Sequence, residues 1–527
     1  MRVALRVDAS ASMGLGHLLR CQALARTLRT LGAEISFVTR DLGLDSAGRL
    51  EAGGFNVYRL PRPEALVADP ATRSEAPPHA AWLGVSAARD AAETIDALRD
   101  RSRWDWVIVD HYALDAHWHR PVAAALGARI AVIDDLADRA LAADLLIDHN
   151  LAEPDHRHKY AGRLAAATAL LGGPRFALLD STYTDAPRCE PGAVVRSIGI
   201  FLGGTDPAGL SATALRACRE VAGFHGPVEL VTTRANPRHA ELHALVQQWP
   251  DTRLTLDLPD LTSFFARHDL QVGAGGGANW ERCCIGVPTL ALIGAPNQLA
   301  VVPQLERLGA VAALPAGMAP TAEAIGRALR TLIDDAPRRN GLAERSRALV
   351  DGRGSMRVAM RLAADQLCVR PATADDSELM HRWRNHPVTR AVSRSARDID
   401  FEDHQRWLRG TLADMSRLLL IGEVGGCPVG VIRFDRRDDH EAEVSLYLDP
   451  DLHGLGLGAA LLREGEHAAA AWAARAGAGP LAFTATVLDD NAGSRRLFEA
   501  GGYLFSGRDG HKPVAAAPST CVEHSAT

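Results

Sequence analysis

The sequence predicts an α/β chain with two Rossmann-like, parallel-sheet domains in tandem, followed by a smaller α+β domain. Three observations carry this. From residue 1 to about 185, β-rich runs alternate with helical patterns, which is how a parallel sheet covered by helices reads. After a proline- and glycine-bearing break the same alternation restarts and runs to about 365. Beyond Cys368 the pattern changes to adjacent strand-like runs, a glycine loop and an alanine-rich helix. The length of 527 residues fits about three domains at roughly 100–200 residues each.

Composition narrows the function classes. Hydrophobic residues make up 47% and charged residues 23%, ordinary for a soluble globular chain. A net charge of −6 gives no global attraction to nucleic acid or anionic lipid, so neither is an expected partner. Arg2 and Arg6 sit inside the first strand pattern, and no 18-residue uncharged apolar run is present, so no membrane association and a cytoplasmic location are expected. Eight cysteines (Cys21, Cys189, Cys218, Cys283, Cys284, Cys368, Cys427 and Cys521) include no C-x-x-C pair. That argues against zinc and disulfide frameworks, and no carboxylate cluster calls for a metal. Oligomeric state is left open.

In the first domain, residues 1–188, Arg2 to Val7 reads as a strand, and Leu18, Leu24, Leu28 and Leu31 then recur at near-helical spacing. Between them lies Met13-Gly14-Leu15-Gly16-His17. A strand, glycine turn and helix in this order present backbone N–H groups to a ligand at the carboxyl end of a strand. A histidine in the first helical turn feels the positive end of the helix dipole, which disfavours imidazolium and keeps a neutral base available. Further strand runs are Glu34 to Thr39, Phe55 to Arg59, Trp106 to Val109, Ile130 to Ile133 and Asp144 to Ile147. Polar residues follow several of them: Asp8, Asp110-His111-Tyr112, Asp134-Asp135 and Asp148-His149-Asn150, which should converge on one rim. Pro61 to Pro78 reads as a long loop, a candidate lid, before a helix near Ser86. Tyr183 to Gly192 has a linker's composition.

In the second domain, residues 189–365, Val194 to Phe201 leads into Leu202-Gly203-Gly204-Thr205-Asp206-Pro207. Val228 to Val231, Arg253 to Leu256 and Leu270 to Val272 precede Gly273-Ala274-Gly275-Gly276-Gly277-Ala278-Asn279-Trp280-Glu281. The second glycine turn lets a backbone approach diphosphate oxygens, and the helix after it offers its N-terminal N–H groups. Glu281 is placed to accept hydrogen bonds from a ribose diol, and Gly203-Gly204 could clamp the same nucleotide from the other side. Two such halves facing each other would hold a ligand between them.

These residues carry a resemblance. Arg6-Val7-Asp8 with Gly14 to Cys21, then Leu202 to Pro207, then Gly275 to Cys283, resemble the UDP-sugar hydrolases of pseudaminic acid biosynthesis, relatives of glycosyltransferases with the GT-B fold. The resemblance spans roughly residues 1 to 360. It implies hydrolysis of UDP-2,4-diacetamido-2,4,6-trideoxy-β-L-altropyranose to UDP and free sugar, with His17 as the base toward water; Asp8 lies close enough in sequence to orient it. It also implies substrate contacts from Gly14, Gly16, Tyr112 and Asn150. UDP would be held by Gly203, Gly204, Gly275, Gly276, Gly277, Asn279 and Glu281.

The third domain, residues 366–508, has strand patterns at Val369 to Ala372, Leu418 to Val424, Pro428 to Phe434 and Glu441 to Leu448, and the glycine loop His453-Gly454-Leu455-Gly456-Leu457-Gly458. Glu441 and Glu443, two apart on a strand, share a face, and either could accept an amine proton; Glu443 is favoured. The loop, together with Asn491 to Tyr503, resembles the GNAT acetyltransferases. What this implies is acetyl-CoA as cosubstrate, bound by Leu448, His453, Gly454, Gly456, Gly458, Asn491 and Arg495. His453 stands where the family carries Gln or Arg, and Phe498 stands where many relatives place a tyrosine that protonates the departing thiolate. Fused to the hydrolase, the domain would acetylate the carbon-4 amine of the precursor UDP-amino sugar. Residues 509–527 read as a disordered tail.

Alternatives stay open at this point. The UDP cleft suits a glycosyltransferase, or a hydrolase for another nonulosonic acid precursor. The GNAT domain could act on a different amine, such as a protein amino terminus, or only bind acyl-CoA.

Overall fold

The computed structural model describes residues 1–10, 12–63, 77–99 and 103–514, and the chain divides into two compact units at residues 358/359. In the first unit one all-parallel sheet contains β1 (Arg2–Val7), β2 (Glu34–Arg40), β3 (Asn56–Leu60), β4 (Trp106–Asp110), β5 (Arg129–Ile133), β6 (Leu145–Asp148) and β7 (Ala169–Gly172) in the order β3-β2-β1-β4-β5-β6-β7. Every residue of β4 (WVIVD) is buried, as a strand covered on both faces requires. The chain starts in the middle, winds out to β3 and returns to β4. Consecutive crossovers therefore diverge at β1/β4, and a crevice opens at the carboxyl ends there.

The second sheet of this unit repeats the plan with β8 (Ile198–Phe201), β9 (Val228–Thr232), β10 (Thr252–Leu256), β11 (Leu270–Ala274), β12 (Thr289–Leu292) and β13 (Ala312–Ala313), in the order β10-β9-β8-β11-β12-β13. Its divergence point lies at β8/β11. Sequence pattern missed β7, β12 and β13, which are short and carry no alternation. It also began β8 too early: Val194 is 69% exposed and precedes the ladder.

The segment expected to be a linker is packed. Tyr183 and Cys189 belong to one apolar cluster with Phe264, Trp280, Cys284 and Val302, and the Cys189 N–H donates to Ile285 O at 2.8 Å. The helix Gly354–Leu362 returns to the first half, where Ser355 Oγ donates to Leu179 O at 2.7 Å and Arg357 Nη1 to Arg175 O at 3.0 Å. The helix expected near Ser86 runs Ala87–Leu98, with Ser86 as its cap. Of the loop proposed as a lid, residues 64–76 lie outside the described residues.

The second unit holds a mixed sheet of β14 (Cys368–Pro371), β15 (Arg417–Val424), β16 (Cys427–Arg436), β17 (Glu441–Leu448), β18 (Ala482–Thr486), β19 (Leu504–Ser506) and β20 (Asp509–Lys512), in the order β14-β15-β16-β17-β18-β20-β19. Only β17 and β18 pair in parallel. The expected tail at 509–527 needs correction at its start: Asp509–Lys512 pairs with both β18 and β19, and Lys512 Nζ lies 2.5 Å from the buried Glu466. A four-residue strand of mainly polar residues carries no apolar pattern, so only its neighbours reveal it. Residues 515–527, with Cys521, lie outside the described residues. Among the described residues no helix is long and apolar enough to cross a membrane.

Candidate functional site

The divergence point of the first sheet assembles the side chains. The loop after β1 folds back through Gly14 N–H to Ser10 O at 2.8 Å, which needs Gly14 at φ +73°, and delivers His17 at the start of the helix Gly16–Thr30. No side chain lies within 4 Å of where a Cβ would stand on Gly14 or Gly16. His17, 7% exposed, sets Nδ1 2.6 Å from Oδ1 of Asp110 at the end of β4. Arg20, one turn on, grips the same carboxylate through Nε and Nη2, both at 2.6 Å. Burial opposes ionisation of Asp110, but Arg20 and His17 outweigh it and hold the carboxyl well below the usual carboxylate range. A fixed anion on Nδ1 selects the tautomer with its proton there. Nε2 then has no partner among the described residues and can receive a proton.

Around this dyad the other strand ends converge as the pattern implied. The edge of Tyr112 meets the His17 ring at a centroid distance of 4.6 Å, and its hydroxyl donates to Asp135 Oδ1 at 2.5 Å. Asn150 Nδ2 donates to Asp135 Oδ2 at 3.0 Å. Both residues are thus fixed in the wall of the site. His149 lies beside them, buried, with Nδ1 unpartnered and its ring 6.2 Å from Trp280 of the second half. Burial, reinforced by Arg20, lowers its pKa to about 4, so the ring is neutral.

Asp8 does not orient His17, which corrects the sequence expectation. Its Oδ1 accepts from Arg6 Nη1 at 2.5 Å and from the Arg40 N–H at 2.7 Å, and the carboxylate is wholly buried. Arg6 and Arg40 also bind the buried Asp90, so this network ties β1 and β2 to the helix Ala87–Leu98 beneath the loop. Burial opposes the ionisation of Asp8, yet Arg6 and His111 keep it far below the carboxylate range. Sequence proximity suggested Asp8. The strand order instead puts Asp110, 93 residues from His17, next to it.

The divergence point of the second sheet is built from backbone. Gly276 and Gly277 are open: a Cβ on Gly277 would meet nothing within 4 Å, and one on Gly276 only the Gln298 amide at 3.6 Å. Among the described residues the N–H groups of Gly276, Gly277 and Ala278 have no acceptor, and they point from the amino end of the helix Ala278–Ile285. Gly275 serves packing, since its Cβ would stand 2.3 Å from Val302 Cγ2. Gly203, at φ +99°, has open space, while Gly204 packs on Thr233. Asn279 is wholly buried and accepts from Arg282 Nη2 at 2.5 Å, so it supports the turn from below instead of facing a ligand. Glu281 is partly exposed, and burial pushes its carboxyl up to about 7, opposed by Arg282.

In the second unit the loop after β17 forms a similar cradle. Gly454 (φ +82°) and Gly456 (φ +79°) take left-handed conformations, a Cβ on Gly454 would meet open space, and the N–H groups of Gly454 to Gly456 have no acceptor among the described residues. Gly458 instead makes room for Leu497 at 3.3 Å and Leu448 at 3.7 Å. β17 pairs with β18 only over Glu441 to Glu443. That leaves Val444 to Leu448 without a strand on that side, an opening in which a ligand's amides can pair. Together the cradle and the opening fit a coenzyme A pyrophosphate and its pantetheine arm.

Three carboxyl-terminal assignments change. Glu443 is bound by Arg394 at 2.5 Å and by Arg437, and although burial opposes it these guanidinium groups lower its pKa, so it is a poor base. Asn491 caps the helix Ala492–Ala500 by accepting from the Ser494 N–H at 3.0 Å. Arg495 is held by Glu499, Gly507 O and the face of Phe505. Phe498 is buried against Tyr503, whose hydroxyl donates to Glu466. A cavity of about 320 Å³ lies beside Glu443, lined also by Arg394, Arg437, Thr484, Asp509 and His511. His511 was beyond sequence reach, because it sits in the strand that reads as tail. Among the described residues no group of three His, Cys, Asp or Glu could hold a metal ion.

Residues 378–503 match the acetyltransferase (GNAT) family, and the second unit is a GNAT acetyltransferase domain, following a first unit of two Rossmann-like halves. The chain is 27% identical over 186 residues to the spore coat polysaccharide biosynthesis protein SpsG of Bacillus subtilis, covering 35% of this chain and 53% of that protein. It is 32% identical over 83 residues to the acetyltransferase PseH of Campylobacter jejuni, covering 16% and 52%. The chain thus spans about half the length of the curated relatives it matches. Among solved structures, S. aureus MnaA with UDP is 13% identical, covering 68% of this chain and 95% of that one, at a TM-score of 0.48.

Proposed function

We propose that the first unit hydrolyses UDP-2,4-diacetamido-2,4,6-trideoxy-β-L-altropyranose to UDP and free sugar. The second unit, in this reading, acetylates the carbon-4 amine of the precursor UDP-amino sugar. The observation that carries the first half is the His17–Asp110 dyad, with Nε2 unpartnered among the described residues, and a donor-rich glycine turn in the second half of the same unit, which we read as facing it. His17 Nε2 takes a proton from water as its oxygen attacks the anomeric carbon. The bond from that carbon to the diphosphate oxygen breaks, and its electron pair leaves with UDP. Asp110 keeps the Nδ1 proton in place and stabilises the imidazolium that forms, while the free N–H groups of Gly276 to Ala278 meet the charge growing on the leaving group.

For the second unit, acetyl-CoA supplies an activated acetyl group when bound. Gly454 to Gly456 donate N–H groups to its pyrophosphate, and the open side of β17 aligns the arm. The cavity lined by Arg394 and Arg437 receives the amine-bearing acceptor. The reading predicts that incubation with acetyl-CoA and the 4-amino UDP-sugar yields acetylated UDP-sugar, then UDP and free diacetamido sugar, followed by mass spectrometry. Transfer of the sugar to an added acceptor with release of UDP, and no free sugar in water, would replace hydrolysis by glycosyl transfer.

A further inference from the structure

Beneath the open glycine turn of the second sheet lies a guanidinium that no carboxylate grips among the described residues; it rests over the Phe265 ring, 5.7 Å from its centroid. Arg282 is 1% exposed and forms no ion pair among the described residues. Its Nη2 donates to Ala274 O at 2.6 Å and to Asn279 Oδ1 at 2.5 Å, while Nε and Nη1 are buried without a partner, as is Asn279 Nδ2. Gly273 is shaped around it, because a Cβ there would stand 2.3 Å from Nη1. Guanidinium groups are almost never buried unless paired, since loss of hydration is not repaid by two neutral acceptors. Burial lowers its pKa only to about 10, so it remains a cation at neutral pH.

Directly above, Gly276, Gly277 and Ala278 present three N–H groups without acceptors at the positive end of a helix. The neighbouring Glu281 carboxyl, raised to about 7, is about half ionised at neutral pH and makes no salt bridge to Arg282 among the described residues, so it offsets this charge only in part. The missing partner is therefore an anion outside the chain. We propose that Arg282 is the buried countercharge for a phosphate or diphosphate group seated on Gly276 to Ala278, acting through the turn without touching the ligand. The proposal rests on the nucleotide reading of this turn, and it names the residue that makes the seat select anions.

The test is calorimetric titration of the full chain with inorganic pyrophosphate, UDP and uridine, for wild type, Arg282→Met and Arg282→Lys. Pyrophosphate and UDP should bind the Met variant about tenfold or more weakly, the scale of a partly screened charge a few ångströms from its partner. The Lys variant should recover much of that loss, and uridine affinity should not change. Equal pyrophosphate affinity in wild type and Met variant overturns the proposal, as does a Lys variant no better than Met. If Arg282→Met does not melt cooperatively, Gly273→Ala takes its place, since its Cβ displaces Nη1 without changing charge. It should weaken pyrophosphate likewise, and unaltered affinity would again overturn the role. Pyrophosphate binding that depends on Arg282, with no measurable UDP or uridine affinity, would remove the nucleotide reading and leave the countercharge standing.

Discussion

The two halves of the first unit share one topology and fill its crevice in opposite ways. Each opens a crevice where its strand order diverges, at β1/β4 and at β8/β11. At the first, side chains do the work: His17, Arg20, Asp110, Tyr112, Asp135 and Asn150 interlock, and every carboxylate there is paired. At the second, the rim is glycine and bare amide, with its cation hidden below. A proton-transferring group must be held in one tautomer and one orientation, which takes neighbours. A leaving group that carries its own charge needs close, unreorganising donors, which takes their absence. Position in the fold alone therefore does not assign a role; what fills the rim does.

This contrast can be broken by experiment. Replacing His17 with Phe should lower hydrolysis by about 10³-fold while UDP affinity stays near wild type, as read by UDP release and by titration. An active variant would move the chemistry off the first rim. Asp8→Asn and Asp110→Asn separate scaffold from dyad. The first should cost about 3–5 kcal/mol in denaturant unfolding, because it breaks a wholly buried network. The second should lower kcat by about 10²-fold with a smaller change in stability, since the ring keeps its place but not its tautomer. If Asp8→Asn spared stability and removed only activity, the sequence assignment would be restored.

On the second rim, Gly277→Ala should weaken UDP about tenfold or more with an unchanged melting temperature, as its Cβ enters the proposed ligand's approach and meets no protein atom within 4 Å. Gly275→Ala should do the reverse, costing about 1–3 kcal/mol through its clash with Val302. The smallest effect concerns Glu281. Its folded pKa of about 7 lies above its ordinary 4.5, so its contribution to stability is present below pH 4.5 and is lost as pH rises through 7. The melting temperature of Glu281→Gln should match wild type near pH 4.5 and exceed it by roughly 3 °C at pH 8. His149, depressed from 6.5 to about 4, has the opposite trend, losing stability as pH falls below 6.5, but it is present in both chains and cancels. A constant difference across this range would mean that Glu281 is ionised throughout.

Much of this was legible in the chain. The glycine loop delivers His17, the rim residues converge, and β17 begins and ends where the alternation of Glu441 to Leu448 set it. Local rules govern those features: glycine frees the backbone, and strand ends in a parallel sheet point to one edge. The neighbour of His17 was not legible, because Asp8 and Asp110 are equally plausible until strand order is known. Nor could spacing reveal that Asn491 and Arg495 are engaged within their own unit, or that Asp509–Lys512 joins the sheet.

By itself the sequence determined the succession of two Rossmann-like halves and a GNAT domain, and the glycine turns that follow their strands, since periodicity and glycine placement are properties of short stretches. Only the tertiary structure decided which charges meet. It gave Asp110 to His17, Asp8 to Arg6 and Arg40, and Glu443 to two arginines, and among the described residues it left Arg282 in no salt bridge. The physical reason is that electrostatic partnership depends on distance and burial across the fold, and neither is written in the spacing of residues along it.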